Sequence, residues 1–103
     1  MQNYLNVSII IPVYNSEKTI KNTLNKIINE ASKLISEIIV IDDNSTDNST
    51  KIIKEFGKKI KLIELKKNGG VGNARNSGAL IAKYENLCFV DSDIEITENS
   101  IVN

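Results

Sequence analysis

Two aspartates stand two positions apart directly after an apolar run near the end of the chain. Leu87 to Val90 is apolar, and Asp91, Ser92 and Asp93 follow it. In an extended chain residues two apart point to the same side, so a short buried strand here would present both carboxylates at its C-terminal edge. Two adjacent carboxylates repel each other unless a cation lies near them, and hard oxygen ligands suit Mg²⁺ or Mn²⁺. The pattern fits a divalent-metal site and, equally, a polar turn in which aspartate caps the chain locally.

The remaining aspartates follow another apolar run, while the glutamates are spread along the chain. Asp42, Asp43 and Asp47 come just after the run that ends at Ile41. Short acidic side chains at strand ends suit an active-site edge, and they also suit turns and helix caps. The clustering therefore supports a site without identifying one.

The composition describes an ordinary globular chain. It has 103 residues, 41% of them hydrophobic, with 13 basic against 13 acidic side chains. This length predicts a single domain, residues 1–103. The formal charge of zero gives no support for a nucleic-acid or anionic-membrane partner. The chain has no histidine and one cysteine, which argues against a zinc site.

Cys88 is the single cysteine and lies inside the last apolar run. We expect it to be a buried core thiol, without a disulfide or a secreted setting. No apolar run approaches the ~20 residues of a membrane span, and we see no signal peptide before Val7. These features predict a cytoplasmic location, with membrane association left open for a longer parent protein.

Strand and helix patterns alternate along the chain. The patterns predict strands at residues 7–11, 37–41, 60–65 and 87–90, and helices at 17–35, around 52–56 and around 74–82. Asn15 or Ser16 is placed to cap the first helix, and Gly57 to end the second. The order β-α-β-α-β-α-β predicts the α/β class, with a Rossmann-like parallel sheet covered by helices.

The polar clusters of this sequence fall on one edge of the predicted sheet. Ligands of parallel α/β sheets bind beyond the carboxyl ends of the strands. Polar loops follow strands one, two and four, and a glycine-rich loop, Asn68 to Gly72, follows strand three. Four loops converge there, which favours a ligand site at this edge.

Several side chains could serve such a site. Tyr14 could stack on a flat ring or pack on a helix end. Asp43 could accept hydrogen bonds from a base or a ribose, whereas Asp42 would point the other way and serve structure. The glycine loop exposes N–H groups at a helix N-terminus. Arg75, the only arginine in the chain, could grip a phosphate, hold a carboxylate or lie on the surface.

Four segments of the chain together resemble the family 2 glycosyltransferases of the GT-A fold. The segments are Val7 to Asn15, Glu37 to Asp47, Gly69 to Gly78 with Ala74-Arg75-Asn76, and Asp91-Ser92-Asp93. They occur in the family's order and spacing and extend from Val7 to the end of the chain, which makes the resemblance specific.

The resemblance implies a nucleotide-sugar donor, a UDP- or GDP-sugar, and Mn²⁺ or Mg²⁺. By matching position, Pro12 and Tyr14 line the base pocket, and Asp43 bonds the base. Arg75 lies near the diphosphate, Asp91 faces the ribose, and Asp93, with Asp91 beside it, holds the metal. The implied reaction is inverting transfer of the sugar to an acceptor hydroxyl, which needs a general base.

No residue of this chain is assigned as that base. In the family the base belongs to an acceptor-binding half beyond the metal motif, so we expect a nucleotide-binding half that is truncated after Asp93 and inactive alone. The acceptor, whether glycan, lipid or protein, stays open. The family's strand order 3-2-1-4 would leave strand four on an edge, where self-association is expected.

Two other functions compete with the enzyme. A phosphoacceptor receiver domain also carries paired acids after an apolar strand, but it needs them after the first strand, where Asn15 stands here. A nucleotide-binding or assembly module without activity of its own fits the same residues.

Overall fold

Strands and helices alternate in the computed structural model, which describes residues 6–32 and 35–92. The strands are β1 (Asn6–Val13), β2 (Ile35–Asp42), β3 (Lys61–Glu64) and β4 (Asn86–Phe89). The helices are α1 (Ile20–Ala31), α2 (Ser49–Lys54) and α3 (Val71–Ile81), with a 3-10 turn at Gly57–Lys59. Gly57 has a φ of +57°, a conformation that glycine adopts at low cost. It begins the 3-10 turn, whereas α2 ends earlier than predicted, at Lys54 with Glu55 as its C-cap. The predicted α/β class is confirmed.

The four strands form one sheet in the order β3-β2-β1-β4, and every neighbouring pair is parallel. This is the predicted order, with β1 and β2 in the centre and β4 on an edge. All four carboxyl ends therefore lie along the same side of the sheet, and the loops after β1 and β2 lie at its middle.

β1 continues through Pro12, where the sequence predicted that it would end. Pro12 pairs with Ile41 of β2, while pairing with β4 ends at Ile10. The carbonyl of Ile10 accepts the N–H of Val90, so the backbone groups of Ile10 point toward β4. Residues two apart in a strand point the same way, so the backbone nitrogen of Pro12 also points toward β4. Since β4 has ended there, the missing N–H of Pro12 costs no ladder bond.

The two central strands, β1 and β2, are buried on both faces of the sheet, which explains why they are continuous apolar runs. On one face Ile9, Ile11 and Val40 pack with α1 and with Ile53 of α2. On the other face Ile10, Ile39 and Ile41 pack with Ala74 of α3. Alternate residues of β1 and β2 thus serve opposite helix layers.

α3 lies unusually close to the sheet because it presents small residues to it. Ala74 and Gly78 are buried, and a Cβ atom at Gly78 would lie 2.5 Å from Cγ2 of Ile10. The spacing of Ala74, Gly78, Ile81 and Ala82 in the sequence predicts one helical face whose small residues would let the helix lie close to a sheet. The structure agrees at Ala74 and Gly78. Ile81, which was expected on that face, is exposed.

α1 is shorter than its apolar stripe predicted, because the residues before it form a separate turn and the last residue of the stripe belongs to β2. The carbonyl of Ser16 accepts the N–H groups of Thr19 and Ile20 in a turn that precedes the helix. Neither Asn15 nor Ser16 is the N-cap, which is Thr19. Ile35 belongs to β2, and Leu34 lies outside the described residues. No described helix is long and apolar enough to cross a membrane.

β4 was expected to be a buried strand, and this prediction is wrong. Leu87 and Phe89 pair with Ser8 and Ile10 and therefore lie on the α3 face of the sheet; they are 40% and 46% exposed, because α3 packs over β1 and β2 rather than over β4. Cys88 faces the opposite side, packs against the core and is only partly buried, rather than the core thiol expected. That burial raises the pKa of the Cys88 thiol.

Candidate functional site

A pocket of about 210 Å³ opens at the carboxyl edge of the sheet, on the side covered by α3. It is lined by Pro12, Tyr14, Ser16, Asp43, Val71, Ala74, Asp91 and Ser92. Four of the predicted site residues are therefore together in one cavity, with contributions from the ends of β1, β2 and β4 and the start of α3. The volume is below the roughly 300–1,000 Å³ of pockets for drug-sized ligands. It suits one part of a nucleotide-sized ligand.

Asp43 fastens the end of β2 to the glycine loop before α3. Its side chain is buried, and its two carboxylate oxygens accept the backbone N–H groups of Gly69 and Gly70, each at 2.9 Å. The side-chain amide of Asn68 donates to the Asp43 carbonyl at 3.3 Å. A carboxylate has about four acceptor positions. Two backbone bonds therefore orient the group and leave acceptor capacity for a ligand.

Asp42 points to the opposite face of the sheet, as strand alternation predicted. Its oxygens accept the hydroxyl of Thr50 in α2 and the N–H of Ser45. Asp42 is as buried as Asp43 but does not line the pocket. Its contacts are those of a structural residue that anchors α2 and the loop before it.

Arg75 holds a carboxylate, one of the roles that the sequence left open. Its Nη2 lies 3.2 Å from Oδ1 of Asp91, so an ion pair joins α3 to the segment after β4. Both side chains are partly exposed, 42% for Arg75 and 45% for Asp91. The Nε atom of Arg75 is buried and has no hydrogen-bond partner among the described residues. Arg75 does not itself line the pocket, and its guanidinium places a positive charge beside Asp91, which does.

Tyr14 and Val71 supply the apolar part of the opening. Both side chains are exposed and line the pocket, Tyr14 from the loop after β1 and Val71 from the first position of α3. Exposed apolar groups beside a cavity that also holds convergent polar side chains, here Ser16, Asp43, Asp91 and Ser92, are typical of a ligand site. The position of Tyr14 is compatible with stacking on a flat ring.

Ser92 was missed by the sequence reasoning and fixes the segment that carries the acidic motif. Its carbonyl accepts the hydroxyls of Thr23 at 2.8 Å and Thr19 at 3.1 Å, and its hydroxyl lies 2.6 Å from that of Ser16. The sequence feature that could have indicated this contact is Thr23, whose hydroxyl lies among the buried residues of α1. A buried hydroxyl needs a partner, and here the partner is the backbone after β4.

Asn15 joins the loops after β1 and β2. It has a φ of +49°, and its side-chain oxygen accepts the N–H groups of Thr46 at 2.8 Å and Asp47 at 3.3 Å. Its own N–H donates to the hydroxyl of Ser45 at 2.9 Å. Asparagine tolerates the left-handed conformation and bonds to nearby backbone. The loops after β1 and β2 are therefore cross-linked at Asn15, which lies between the pocket residues Tyr14 and Ser16.

Asp47 caps the turn that leads into α2. Its Oδ1 accepts the N–H of Ser49 at 2.9 Å, and its Oδ2 accepts the N–H of Glu17 at 3.2 Å. Desolvation acts to raise the pKa of Asp47, but the hydrogen bonds from Ser49 and Glu17 outweigh it and lower the pKa. This aspartate is a structural acceptor within the loops.

The metal assignment rests on residues that the structure describes only in part. Asp91 is described, and Asp93 lies outside the described residues. Within residues 6–32 and 35–92, no group of three or more acidic, histidine or cysteine side chains could hold a metal ion. The Asp91 carboxylate is a hard oxygen donor of the kind that Mg²⁺ and Mn²⁺ prefer. The donor chemistry at the motif fits such a cation.

Comparison with known proteins gives a consistent result. The sequence model of a family described as "Glycosyl transferase family 2" matches residues 8–102. The chain is 42% identical over 103 residues to a poly(ribitol-phosphate) beta-glucosyltransferase of Bacillus spizizenii, covering 95% of this chain and 16% of that protein. It is 35% identical over 98 residues to the glycosyltransferase GlyG of Streptococcus pneumoniae, covering 92% of this chain and 32% of that protein.

A similar solved structure is that of Staphylococcus aureus TarS, residues 1–349, in complex with UDP-GlcNAc. It superposes with a TM-score of 0.79 at 35% identity and covers 92% of this chain and 28% of that one. TarS has also been solved in complex with UDP, with a TM-score of 0.74. The chain thus spans less than a third of the length of each of these relatives.

Proposed function

The chain belongs to glycosyl transferase family 2, and from this premise we propose that its pocket binds the nucleoside diphosphate of a UDP- or GDP-sugar donor. The observation that carries the proposal is the convergence of Tyr14, Asp43 and Asp91 on one cavity at the carboxyl edge of a parallel sheet. The solved relative TarS, in complex with UDP-GlcNAc, supports a UDP-sugar as the first donor to test.

The base of the donor is assigned to the part of the pocket between Tyr14 and Asp43. Tyr14 offers an exposed ring for stacking, and Pro12 gives an apolar floor beside it. Asp43 is held by the N–H groups of the glycine loop with acceptor capacity left over. An imide N–H of a base is the complementary donor for such a carboxylate.

The ribose and the diphosphate are assigned to the side of the pocket lined by Asp91, which is paired with Arg75. Asp91 is an acceptor for ribose hydroxyls, and Arg75 adds a positive charge close to the anionic part of the donor. Asp93, with Asp91, would hold Mg²⁺ or Mn²⁺. A cation bound there would neutralise negative charge on the leaving diphosphate.

The reaction proposed for the whole protein is inverting transfer of the sugar to an acceptor hydroxyl. The chain's own described residues bind and orient the donor, and none of them is assigned as the general base. The acceptor is not assigned either. Several relatives are named for poly(ribitol-phosphate), and others for different products.

Calorimetric titration of UDP and of GDP tests the proposal, in buffer with Mn²⁺ and in buffer with chelator. We expect at least one of them to bind with Mn²⁺ and to bind more weakly in chelator or in Asp93→Ala. Glu85→Ala is the matched control, because Glu85 is exposed and precedes β4 at the other end of the sheet. Absence of binding for both nucleotides under all conditions would refute the proposed function.

A further inference from the structure

We propose that the outer edge of the sheet, along β3, is a docking surface for a linear polyanion that carries phosphate charges at short intervals. We call this surface the lysine edge, and its side chains are Lys51, Lys54, Lys58, Lys59, Lys61, Lys66 and Lys67. The inference goes beyond the proposed function, because it concerns a different surface and does not need a nucleotide in the pocket.

The first step is the uneven distribution of charge along the chain. The whole chain is formally neutral, yet residues 51–67 contain seven of its 13 basic side chains and two of its 13 acidic ones. All seven lysines are exposed. A local excess of one sign creates a potential that attracts ions of the opposite sign. The lysine edge is therefore a cationic surface on a neutral chain.

The second step is that the fold neutralises only part of this charge. Two of the lysines form ion pairs of 3.5 Å, Lys54 with Glu64 and Lys61 with Glu37. The lysines without an ion pair to any residue of 6–32 or 35–92 are Lys51, Lys58, Lys59, Lys66 and Lys67. Five ammonium groups of the lysine edge are thus available to an external anion.

The third step is the position of these lysines at both ends of β3. Three of them line a groove of about 280 Å³ beside the start of β2: Lys58, Lys59 and Lys61. Two others, Lys66 and Lys67, follow the carboxyl end of the strand. β3 has four residues and spans about 13 Å. A compact anion contacts one of the two clusters, whereas a chain of phosphates contacts both at once.

The fourth step is the residue chemistry, which favours recognition of charge without recognition of bases. Lysine is a flexible point charge that imposes no planar geometry on its anion. Proteins bind single-stranded nucleic acid by stacking bases on aromatic rings. The one aromatic residue of this segment, Phe56, packs against the core, and residues 51–67 contain no arginine. A flexible polyanion bound by its charge therefore fits this surface better than a nucleic acid.

A lipid membrane is another anionic partner that lysines attract. Segments that bind at a membrane surface combine basic side chains with an apolar face that enters the lipid. Residues 51–67 expose no large apolar side chain; those that the described part of the chain exposes are Tyr14, Val71, Leu80, Ile81, Leu87 and Phe89. The lysine edge thus lacks the apolar part of a membrane anchor.

One end of the lysine edge lies next to the proposed donor site. Lys67 is followed directly by Asn68, whose side-chain amide donates to the carbonyl of Asp43, and Asp43 lines the pocket. A polymer along β3 would therefore be held close to the carboxyl edge of the sheet, where an acceptor must approach the donor. This consequence rests on the proposed function, whereas polyanion binding itself does not.

The experiment is fluorescence anisotropy of end-labelled, long-chain inorganic polyphosphate titrated with the protein. Chelator is present throughout, so that no cation links the polymer to the pocket. We expect the polymer to bind and to be displaced by unlabelled polyphosphate, but not by orthophosphate or pyrophosphate at the same phosphate concentration. Binding should weaken steeply as the salt concentration rises.

Two pairs of substitutions test whether the polymer contacts both ends of β3. Lys58→Gln with Lys59→Gln, and Lys66→Gln with Lys67→Gln, should each weaken polyphosphate binding about five- to tenfold. Because the two clusters are well separated, the variant with all four substitutions should lose about the product of the two factors. A compact anion would respond to one pair only.

Lys21→Gln with Lys26→Gln is the matched control, because both lysines are exposed on α1 and the change of charge is the same. This pair should change polyphosphate affinity less than about twofold. Thermal unfolding checks that each variant is folded. Titration with UDP and Mn²⁺ should give wild-type affinity in every variant, since none of these lysines lines the pocket.

The possible results decide between this inference and its alternatives. Absence of polyphosphate binding, or an equal loss in the control pair, would overturn it. Pyrophosphate that binds as tightly as the polymer would assign the groove to a compact anion instead. Tighter binding of single-stranded DNA, or of vesicles containing phosphatidylglycerol, would assign the surface to a nucleic acid or a membrane. Failure of UDP and GDP to bind would overturn the proposed function and leave the lysine edge as a polyanion surface.

Discussion

Oδ1 of Asp43 lies 2.9 Å from the backbone nitrogen of Gly69, so the acidic residue directly after β2 holds the glycine loop that precedes α3. The neighbouring Gly70, with a φ of +90°, donates to the other oxygen of the same carboxylate. Two segments 26 residues apart in sequence are thereby fixed at one wall of the pocket. The precision of the site depends on this carboxylate.

Asp43→Asn should weaken nucleotide binding, while Asp42→Asn should leave it nearly unchanged. An asparagine at position 43 turns one N–H donor toward the N–H groups of the loop, and the loss of a hydrogen bond to a charged group costs about 1–3 kcal/mol. Asp42 instead bonds Thr50 and Ser45, away from the pocket. Calorimetry with UDP and thermal unfolding measure the two effects. Weaker binding in a folded Asp42→Asn than in Asp43→Asn would reverse our assignment of the pair.

Gly78→Ala should destabilise the protein by about 1–3 kcal/mol, the usual cost of overpacking a core. The new methyl group would lie 2.5 Å from Cγ2 of Ile10, so α3 would have to move away from the sheet. Gly72→Ala is the matched control in the same helix, because no atom lies within 4 Å of its Cβ position. It should stabilise the helix by up to about 1 kcal/mol. Urea denaturation compares them, and equal stabilities would contradict the close packing of α3.

Glu37 should stabilise the fold in a pH-dependent way at the amino edge of the sheet. Its Oε2 accepts the hydroxyl of Ser8 at 2.6 Å and the N–H of Lys83, and its side chain is only 15% exposed. Burial acts to raise the pKa of Glu37, but the bonds from Ser8 and Lys83 and the charge of Lys61 outweigh it. The pKa therefore lies below its ordinary value of 4.5.

A lowered folded-state pKa contributes stability above the unfolded value, and this stability is lost as the pH falls through the folded value. Glu37→Gln should therefore be less stable than the wild type by about 1–3 kcal/mol at neutral pH, and the difference should shrink below pH 4.5. Urea midpoints across this range measure it. Glu64→Gln is the control, since Glu64 forms an exposed pair with Lys54. A difference that is constant with pH would exclude the ionised Glu37 as the cause.

The sheet and the position of the site could be predicted because they follow from short-range periodicity. Continuous apolar runs marked β1 and β2 as strands covered on both faces, and alternation along β2 separated Asp42 from Asp43. The glycines of the third loop and Gly78 indicated a tight approach of α3. These features depend on neighbouring residues of one element, which a single sequence displays.

The polar contacts between loops could not be predicted in the same way. Ser16 and Ser92 are 76 residues apart, and their hydroxyl contact has no periodic signature. Asn15 was predicted as a possible helix cap, whereas its side-chain oxygen accepts hydrogen bonds from the backbone N–H groups of Thr46 and Asp47. Pro12 was taken as a strand end, because the sequence does not say where the neighbouring β4 stops. In each case the sequence does not show which residue of a distant segment is the hydrogen-bond or strand-pairing partner.

β4 should mediate self-association of the chain, as its edge position predicts. Its segment Asn86–Phe89 carries no charge or proline, and Leu87 and Phe89 are exposed beside an edge that no strand of residues 6–32 and 35–92 pairs with. Such an edge invites pairing with a second copy. Light scattering during size-exclusion chromatography should show dimers or larger species for the wild type and a monomer for Phe89→Lys. Leu80→Lys, which removes an exposed leucine of α3, should not dissociate the assembly; a monomeric wild type would contradict the prediction.

The most direct test of the central claim, that the pocket is the donor site, is nuclear magnetic resonance of the ¹⁵N-labelled chain titrated with UDP and Mg²⁺. We predict that the largest amide shifts occur at the pocket wall, at Tyr14, Gly69, Gly70 and Ser92. The amides of Ser36 and Lys59, beside the start of β2 at the opposite edge of the sheet, should hardly move. Shifts concentrated at Ser36 and Lys59, or saturating UDP without shifts at the pocket residues, would contradict the account.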